Sequence, residues 1–483
     1  MRTTAIETKH VSGRDIASGD WTYVFEPHSV PMEGETLRYD KTTITSPDDV
    51  TEYYHYGKDY RWVSVDQYHF IKPSWVGLLA KELTHDKRGN LLFSKFLNWD
   101  TRKISNESMI HGSPYRTWWT EFATFAPFLV SEGHGYDSEA EREFGANGDG
   151  TVTVSRITKY SGHDDFGNPT VVREFNNYSR DDEYRTTTYE YSNDTAKWIL
   201  GKVTSEESTM DGDTSLTTRV FDELGQLKQE TTNGVDTGYE YTSAGDVQNV
   251  TDANGNTTYF SDYKRGIAQQ ENRPENVSIG RHINDTGTVS SITDGRGITT
   301  SFSYDDLNRL TGIDFPIYDD VSISYSSFYR TLTRGGFKQV DEFDSLGRLI
   351  KTTRSDTQTG EAISQRTELD ALGRKVYESD PYGEVESGGI SYDYDALGRV
   401  VKKSNSDGTY VSKSYDDEIT EVVDERGNVT TYRNRNIGLD DSSLLRVDQP
   451  ESVTTKFKRN LLNQPYENMA VWRFGADSER IQV

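Results

Sequence analysis

The 483-residue sequence contains no cysteine, so disulfides and thiolate metal sites play no part in its stability, and redox argument leaves its compartment open. No apolar run is long enough to span a bilayer, and Met1 to Ala17 is polar where a secretory signal carries an apolar centre. The expectation is a chain made in the cytoplasm, without a membrane span, that reaches the outside only through a dedicated machine or a partner. Basic residues are outnumbered, 53 against 79 acidic ones, for a formal net charge of −26. That excess argues against a nucleic-acid partner, whose affinity rests on clustered Lys and Arg. It serves instead to keep a surface rich in strand edges from associating. Aliphatic residues are also scarce: hydrophobic content is 33% and mean hydropathy −0.79, too little for a thick core. Yet 30 Tyr and 19 Phe are too many for a disordered chain. A thin, wide sheet satisfies both, because one-sided burial needs fewer aliphatics and Tyr and Thr suit pleated, half-wet surfaces.

Catalytic signatures are missing as well. There is no HExxH, no pair of histidines four apart, no GxSxG elbow and no glycine-rich loop with the Lys that phosphate binding needs. His55, His69 and His85 are the histidines worth following for spatial convergence. GANGDGT (Gly145 to Thr151) and MDGDTS (Met210 to Ser215) look superficially like Asp-rich calcium loops, but lack the full ligand count and a distal Glu. The expectation is a chain with no catalytic residues, no cofactor and no metal.

What is present is a repeat. FDELGQL (Phe221 to Leu227), FDSLGRL (Phe343 to Leu349), LDALGRK (Leu369 to Lys375) and YDALGRV (Tyr394 to Val400) share one pattern, with weaker copies from Tyr241, Ile283 and Tyr304. Start positions 221, 241, 283, 304, 343, 369 and 394 give a unit of roughly twenty to twenty-five residues, with two gaps near twice that. A second pattern interleaves: VTDANGNTTYF from Val250, SITDGRGITTSFSY from Ser291 and VVDERGNVTTY from Val422. Each reads as a hairpin corner. Asp bonds the amides ahead of it, and Gly three residues later takes positive φ after a type I turn. The corner residues singled out are Asp222, Gly225, Asp305, Asp344, Gly347, Arg348, Asp370, Gly373, Arg374, Asp395, Gly398 and Arg399. Leu346, Leu372 and Leu397 are expected to fold back as apolar plugs, and the Arg after Gly to pair with an Asp.

From residue 150 onward, short strands and turns give roughly thirty strands. Right-handed twist forces so large a sheet to curl, split or close. The fold expected is all-β: a long antiparallel sheet of hairpin repeats wound into a spiral, barrel-like or shell-like wall. Two regions are expected, a divergent Trp- and His-rich β region over 1–150 with longer loops, and the repeat wall over 151–483. The first holds Trp21, Trp62, Trp75, Trp99, Trp118 and Trp119 of the eight tryptophans. A short charged helix is expected over Asp137 to Phe144. Trp62, Trp75, Trp118 and Trp119 are candidate contacts for a glycan or protein partner, against the plainer reading that they fill the sheet.

YDALGRV, FDSLGRL and FDELGQL closely resemble the YD repeat of RHS proteins, of the B and C components of insecticidal toxin complexes, and of teneurins. Thr187 to Thr209 is similar to segments upstream of the repeats in bacterial RHS polypeptides, so the resemblance covers about residues 160–470. It implies a bacterial, extracellular or secretion-associated hollow shell that encloses a toxic domain or pairs with a second shell chain. In those relatives a segment with DPxGL motifs forms a self-cleaving aspartyl site. Here the only DPxG, Asp380 to Gly383, continues with Glu384 and is followed by more repeats. It is read as one more turn, and self-cleavage is not expected. A non-catalytic scaffold is therefore the leading reading, ahead of an adhesion module and of a self-cleaving toxin component.

Overall fold

The computed structural model describes residues 7–31, 38–56, 77–113, 116–136, 156–175, 184–416, 418–437, 441–460, 465–473 and 479–482. Among them are 36 β-strands and, as helix, only two three-residue 3-10 turns, Pro274–Asn276 and Pro450–Ser452. Every strand pairs antiparallel with the next one in sequence, from Thr8–Gly13 with Ile16–Pro31 to Pro465–Arg473 with Glu479–Gln482. The chain is one unbroken meander. From Arg156–Ser161 onward the described residues hold twenty-nine strands, against roughly thirty expected from hairpin spacing.

A single-layer sheet has little interior, and the buried hydrophobic residues are correspondingly few and scattered: Ile157 and Ile283 are fully buried, and Phe96, Phe175 and Ile437 nearly so. Stability is carried sideways, strand on strand. Along Tyr184–Asp194, Arg185, Thr187, Tyr189 and Tyr191 are covered while Thr188, Glu190 and Ser192 are exposed. No second layer accounts for the difference among the described residues, so curvature does, because the concave face crowds its side chains. That face is polar and self-satisfied. Arg185 donates to Glu174 at 2.7 Å, and Arg219 bridges Glu206 and Glu230 at 3.3 and 2.8 Å. Thr187 meets Ser208 and Thr217 meets Thr232, each a cross-strand hydroxyl pair.

The first third departs from this texture in one hairpin. Leu91–Ser113 and Arg116–Tyr136 pair with each other over their whole lengths. Their outer neighbours pair only with residues 91–96 and 131–134. Residues 97–113 and 116–130 thus pair as a two-stranded ribbon that extends beyond the flanking strands. The expected helix over Asp137 to Phe144 lies outside the described residues, as does the composition boundary near residue 150. The ladder itself passes from one region to the other through Ser131 opposite Lys159.

The sheet returns onto itself. The turn joining the first two strands, at Arg14, meets the corner at Ser345, which joins the twenty-fourth (Phe337–Phe343) and twenty-fifth (Leu349–Asp356) strands. Asp48, between the third (Arg38–Thr45) and fourth (Asp49–Tyr56), meets Arg374, between the twenty-sixth (Ala362–Leu369) and twenty-seventh (Lys375–Ser379). Both contacts lie twenty-three strands apart. The wall is a spiral whose second coil sits against the first along a seam.

Candidate functional site: corners, rims and seam

Thirteen corners share one hydrogen-bond pattern. At Asp344, its N–H donates to the Arg348 carbonyl at 2.9 Å, and the Gly347 N–H donates back to the Asp344 carbonyl at 3.0 Å. The carboxylate completes the turn: Oδ1 accepts the amides of Leu346 and Arg348 at 2.9 Å, and Oδ2 accepts Arg348 Nε at 2.6 Å. Gly347 has φ 76°, a left-handed value that a side chain would strain; at the Asp305 corner Asn308 takes that role with φ 58°. Asp305, Asp370 and Asp395 repeat the arrangement with Arg309, Arg374 and Arg399, and Gly373 and Gly398 close the last two turns. Asp222 and Gly225 make the same turn with Gln226 in place of Arg.

Because each strand reverses the last, alternate corners lie on opposite rims, and the two sequence patterns separate by rim. The aromatic-Asp corners (Phe221, Tyr241, Ile283, Tyr304, Phe343, Leu369, Tyr394) share one edge, here the tyrosine rim. The corners at Asp86, Asp252, Asp294, Asn405 and Asp424 share the other, the asparagine rim; at Asp86, Asp252 and Asp424 an Asn side chain replaces Arg as the Asp partner. Each of those seven tyrosine-rim corners has a bulge just before its first turn residue, as between Asp393 and Tyr394; on the other rim Asp86 has one too, whereas the corners at Asp252, Asp294 and Asp424 keep register. A bulge leaves a carbonyl without a ladder partner. The phenol of the next tyrosine along the rim supplies one: Tyr394 donates to Lys375 O at 2.6 Å, Tyr304 to Val289 O at 2.8 Å, Tyr415 to Val400 O at 2.9 Å. Arg374 and Arg399 also lie over the rings of Tyr394 and Tyr415, at 4.7 and 4.5 Å. The tyrosine of the repeat stitches one corner to its neighbour.

Charge follows the bonding. At Asp305 the Arg309 guanidinium leads in holding the carboxyl below the ordinary Asp range. At Asp344 burial pushes the carboxyl up, but the amide and guanidinium of Arg348 outweigh it and the net shift is downward. Asp344 is 2% exposed.

Two of the three predicted leucine plugs, Leu346 and Leu372, are not plugs of their own corners, while Leu397 is half-buried. Leu346 is 58% and Leu372 39% exposed, and their equivalents Leu224 and Leu307 are 74% and 73% exposed. The side chain at that turn position points off the rim, since the backbone bonds of the corner leave no pocket beneath it. His55 and His85 do not converge: they sit on adjacent strands, opposite Leu79 and Val50 respectively. His69, Trp62, Trp75 and the GANGDGT segment lie outside the described residues. Trp118 and Trp119 sit near the ribbon tip, opposite His111 and Ile110. MDGDTS is a tight turn at Asp211–Gly212, and Asp211 accepts Arg435 Nη1 at 3.0 Å. No group of three or more His, Asp or Glu suited to a metal occurs among the described residues. Asp380 to Gly383 opens a wide turn closed by Asp380 N–H on Gly388 O at 2.9 Å.

Sequence reasoning missed the seam. Arg14 donates to Glu342 at 2.5 Å and Tyr329 at 3.2 Å, lies 4.9 Å from the Phe328 ring, and its carbonyl accepts Ser345. Gly19 packs so closely that a Cβ there would stand 2.6 Å from that of Ala371. Arg374 bonds Asp48 of the first coil and Asp370 of its own corner together.

An RHS-repeat family model matches residues 284–316, a stretch holding the corners at Asn284, Asp294 and Asp305 from both rims. No curated protein sequence matches the chain. Among solved structures the crystal structure of TcdB2-TccC3 matches with TM-score 0.61 at 10% identity, over 94% of this chain and 34% of that one. That of TcdB2-TccC3-TEV matches with TM-score 0.61 at 9% identity, over 96% and 40%. The chain thus spans well under half the length of the structures it matches. Those likenesses show the fold of the wall, and the repeat match shows that the chain carries an RHS, or YD, repeat over residues 284–316, with corners of the same pattern before and after it.

Proposed function

We propose that the chain is a non-catalytic wall segment of a toxin-complex-type shell, which encloses or presents a toxin polypeptide or joins a second shell chain. The observation that carries this reading is the seam, where a one-layer sheet stacks on its own earlier coil through corner-to-corner contacts. That is construction suited to surrounding a space, not to filling one. The concave face supports it: paired Arg, Glu, Tyr and Thr offer a wetted lining with few apolar footholds for a confined chain. The corner carboxylates serve turns, which leaves them poorly placed for acid–base chemistry. In this reading the protein is bacterial and acts outside the cell or with a secretion system. Negative-stain images of the purified chain test it. A curved wall around a void is expected; a compact solid particle would overturn the proposal.

A further inference from the structure

The two coils are joined to each other by other means than the strands within them. Inside a coil each strand shares a ladder of backbone hydrogen bonds with the next. Across the seam the described residues share one backbone bond, from the Ser345 N–H to the Arg14 carbonyl at 3.3 Å. Side chains do the rest: Arg14 pairs with Glu342 above the Phe328 and Tyr329 rings, and Arg374 with Asp48. A third point repeats the twenty-three-strand interval. The ninth strand, Val171–Phe175, meets the thirty-second, Val429–Ile437, and Arg435 of the latter pairs with Asp211 at 3.0 Å. One partner in each ion pair is well exposed, Arg14 at 42%, Asp48 at 35% and Asp211 at 59%, and exposed pairs hold weakly. The closest approaches are made by glycines, Gly13 to Ser345 and Gly19 to Ala371, which bring backbones together without side chains to interlock.

The charged groups of the first two contacts also have partners inside their own coil. Arg14 is bonded to Asp15 at 3.0 Å, Glu342 accepts the Tyr329 hydroxyl at 3.0 Å, and Arg374 keeps Asp370 of its own corner. The corner at Asp344 fills its carboxylate entirely from Leu346 and Arg348. Parting the coils there therefore strands none of those charges and opens no corner. We propose that the seam is a release line, along which the coils separate while the strands and corners of each stay formed, so that the wall loosens and the space it surrounds widens. The inference rests on the wall reading above and adds where and how the wall opens. Such a step is local opening, well short of unfolding, and belongs at the low-stability end of the molecule because it breaks few buried contacts.

Small-angle scattering and far-ultraviolet dichroism of the full chain in rising urea test this. The radius of gyration is expected to grow before the dichroism changes. Because the chain has no cysteine, Gly13→Cys with Ser345→Cys places a single disulfide across the seam; a Cβ at Gly13 stands 3.1 Å from that of Ser345, close to the roughly 3.5–4.5 Å a disulfide spans. Oxidised, that variant should hold its radius until the sheet itself melts; reduced, it should expand as the wild type does. Gly19→Ile, whose Cβ would press to 2.6 Å from that of Ala371, should be expanded without urea and show unchanged dichroism. Expansion that comes only with loss of sheet, or an oxidised variant that expands at the same urea as the reduced one, would overturn the inference. Particle images separate this from the wall itself: a curved wall that never loosens sinks only the release line, whereas a solid particle sinks both.

Discussion

The two stretches of tyrosine rim, Asp344 to Arg374 at the seam and Asp164 to Arg309 in the open, make the same turns under different demands. At Asp344 the corner is closed over by the first coil and its carboxylate is lost to water; at Asp222 the same turn stands in solvent. The bonds that shape the backbone are common to both, so they belong to the repeat. The side chains that differ, Ser345 and Ala371 against Glu223 and Asp306, are not fixed by the turn; a small residue is what the covering coil admits, though the open corner at Thr242 also carries one, Ser243. A repeat therefore carries two kinds of information, one fixed by the turn and the other by the neighbouring coil.

What the corners of both rims share should fail together in acid, the largest effect expected. The carboxyls of Asp164, Asp252, Asp294, Asp305, Asp344 and Asp424 are all held below the ordinary range. At the exposed corners side-chain bonds from Asn or Arg lead; at Asp164 and Asp344 burial opposes the shift and is outweighed. A depressed folded value means the stabilisation is complete above the unfolded pKa, about 4, and is lost as pH falls through the folded values. Far-ultraviolet dichroism should stay level from neutral pH down to about 4 and collapse below it. Loss of sheet already near pH 6 would show that these carboxylates are not what holds the corners.

Substituting single corners separates the stretches. Asp344→Ala strands the half-buried Arg348 guanidinium and two amides, and is expected to cost about 3 kcal/mol, near the lower end for breaking a buried pair. Asp222→Ala removes two amide bonds in a wetter place and is expected to cost about 1 kcal/mol. A long repeat array need not unfold in one step, so amide exchange at residues 346 and 348 against 224 and 226 is the measurement. Equal losses at the two corners would mean that the covering coil adds nothing.

The corners were legible because their chemistry is local: Asp, Gly and Arg within five residues specify a turn whatever surrounds it. The two patterns were legible too, but not that they mark opposite rims, since that depends on the parity of every intervening strand. The tyrosine's partner lies fourteen to nineteen residues back, within reach of the repeat, yet no pattern names a backbone carbonyl. The seam was out of reach. Arg14 and Glu342 are 328 positions apart, and nothing in either neighbourhood fixes the strands per coil. The leucine of the repeat was misread for the same reason: reasoning from the turn alone looks for a pocket beneath it, when what covers that position comes from another coil.

That leucine gives the finest comparison. Exposure falls from 74% at Leu224 in the open to 39% at Leu372 on the seam, beside the close approach of Gly19 to Ala371. If the first coil covers Leu372, Leu372→Ser loses buried apolar area and should cost about 1 kcal/mol. Leu224→Ser should stay within about 0.5 kcal/mol, as surface changes do. The order matters more than the size, because both residues sit at the same turn position with the same backbone bonds. Should the two substitutions cost the same in thermal unfolding, the coils would not be in contact through their corners. The small residues at Ser345 and Ala371 would then need another explanation.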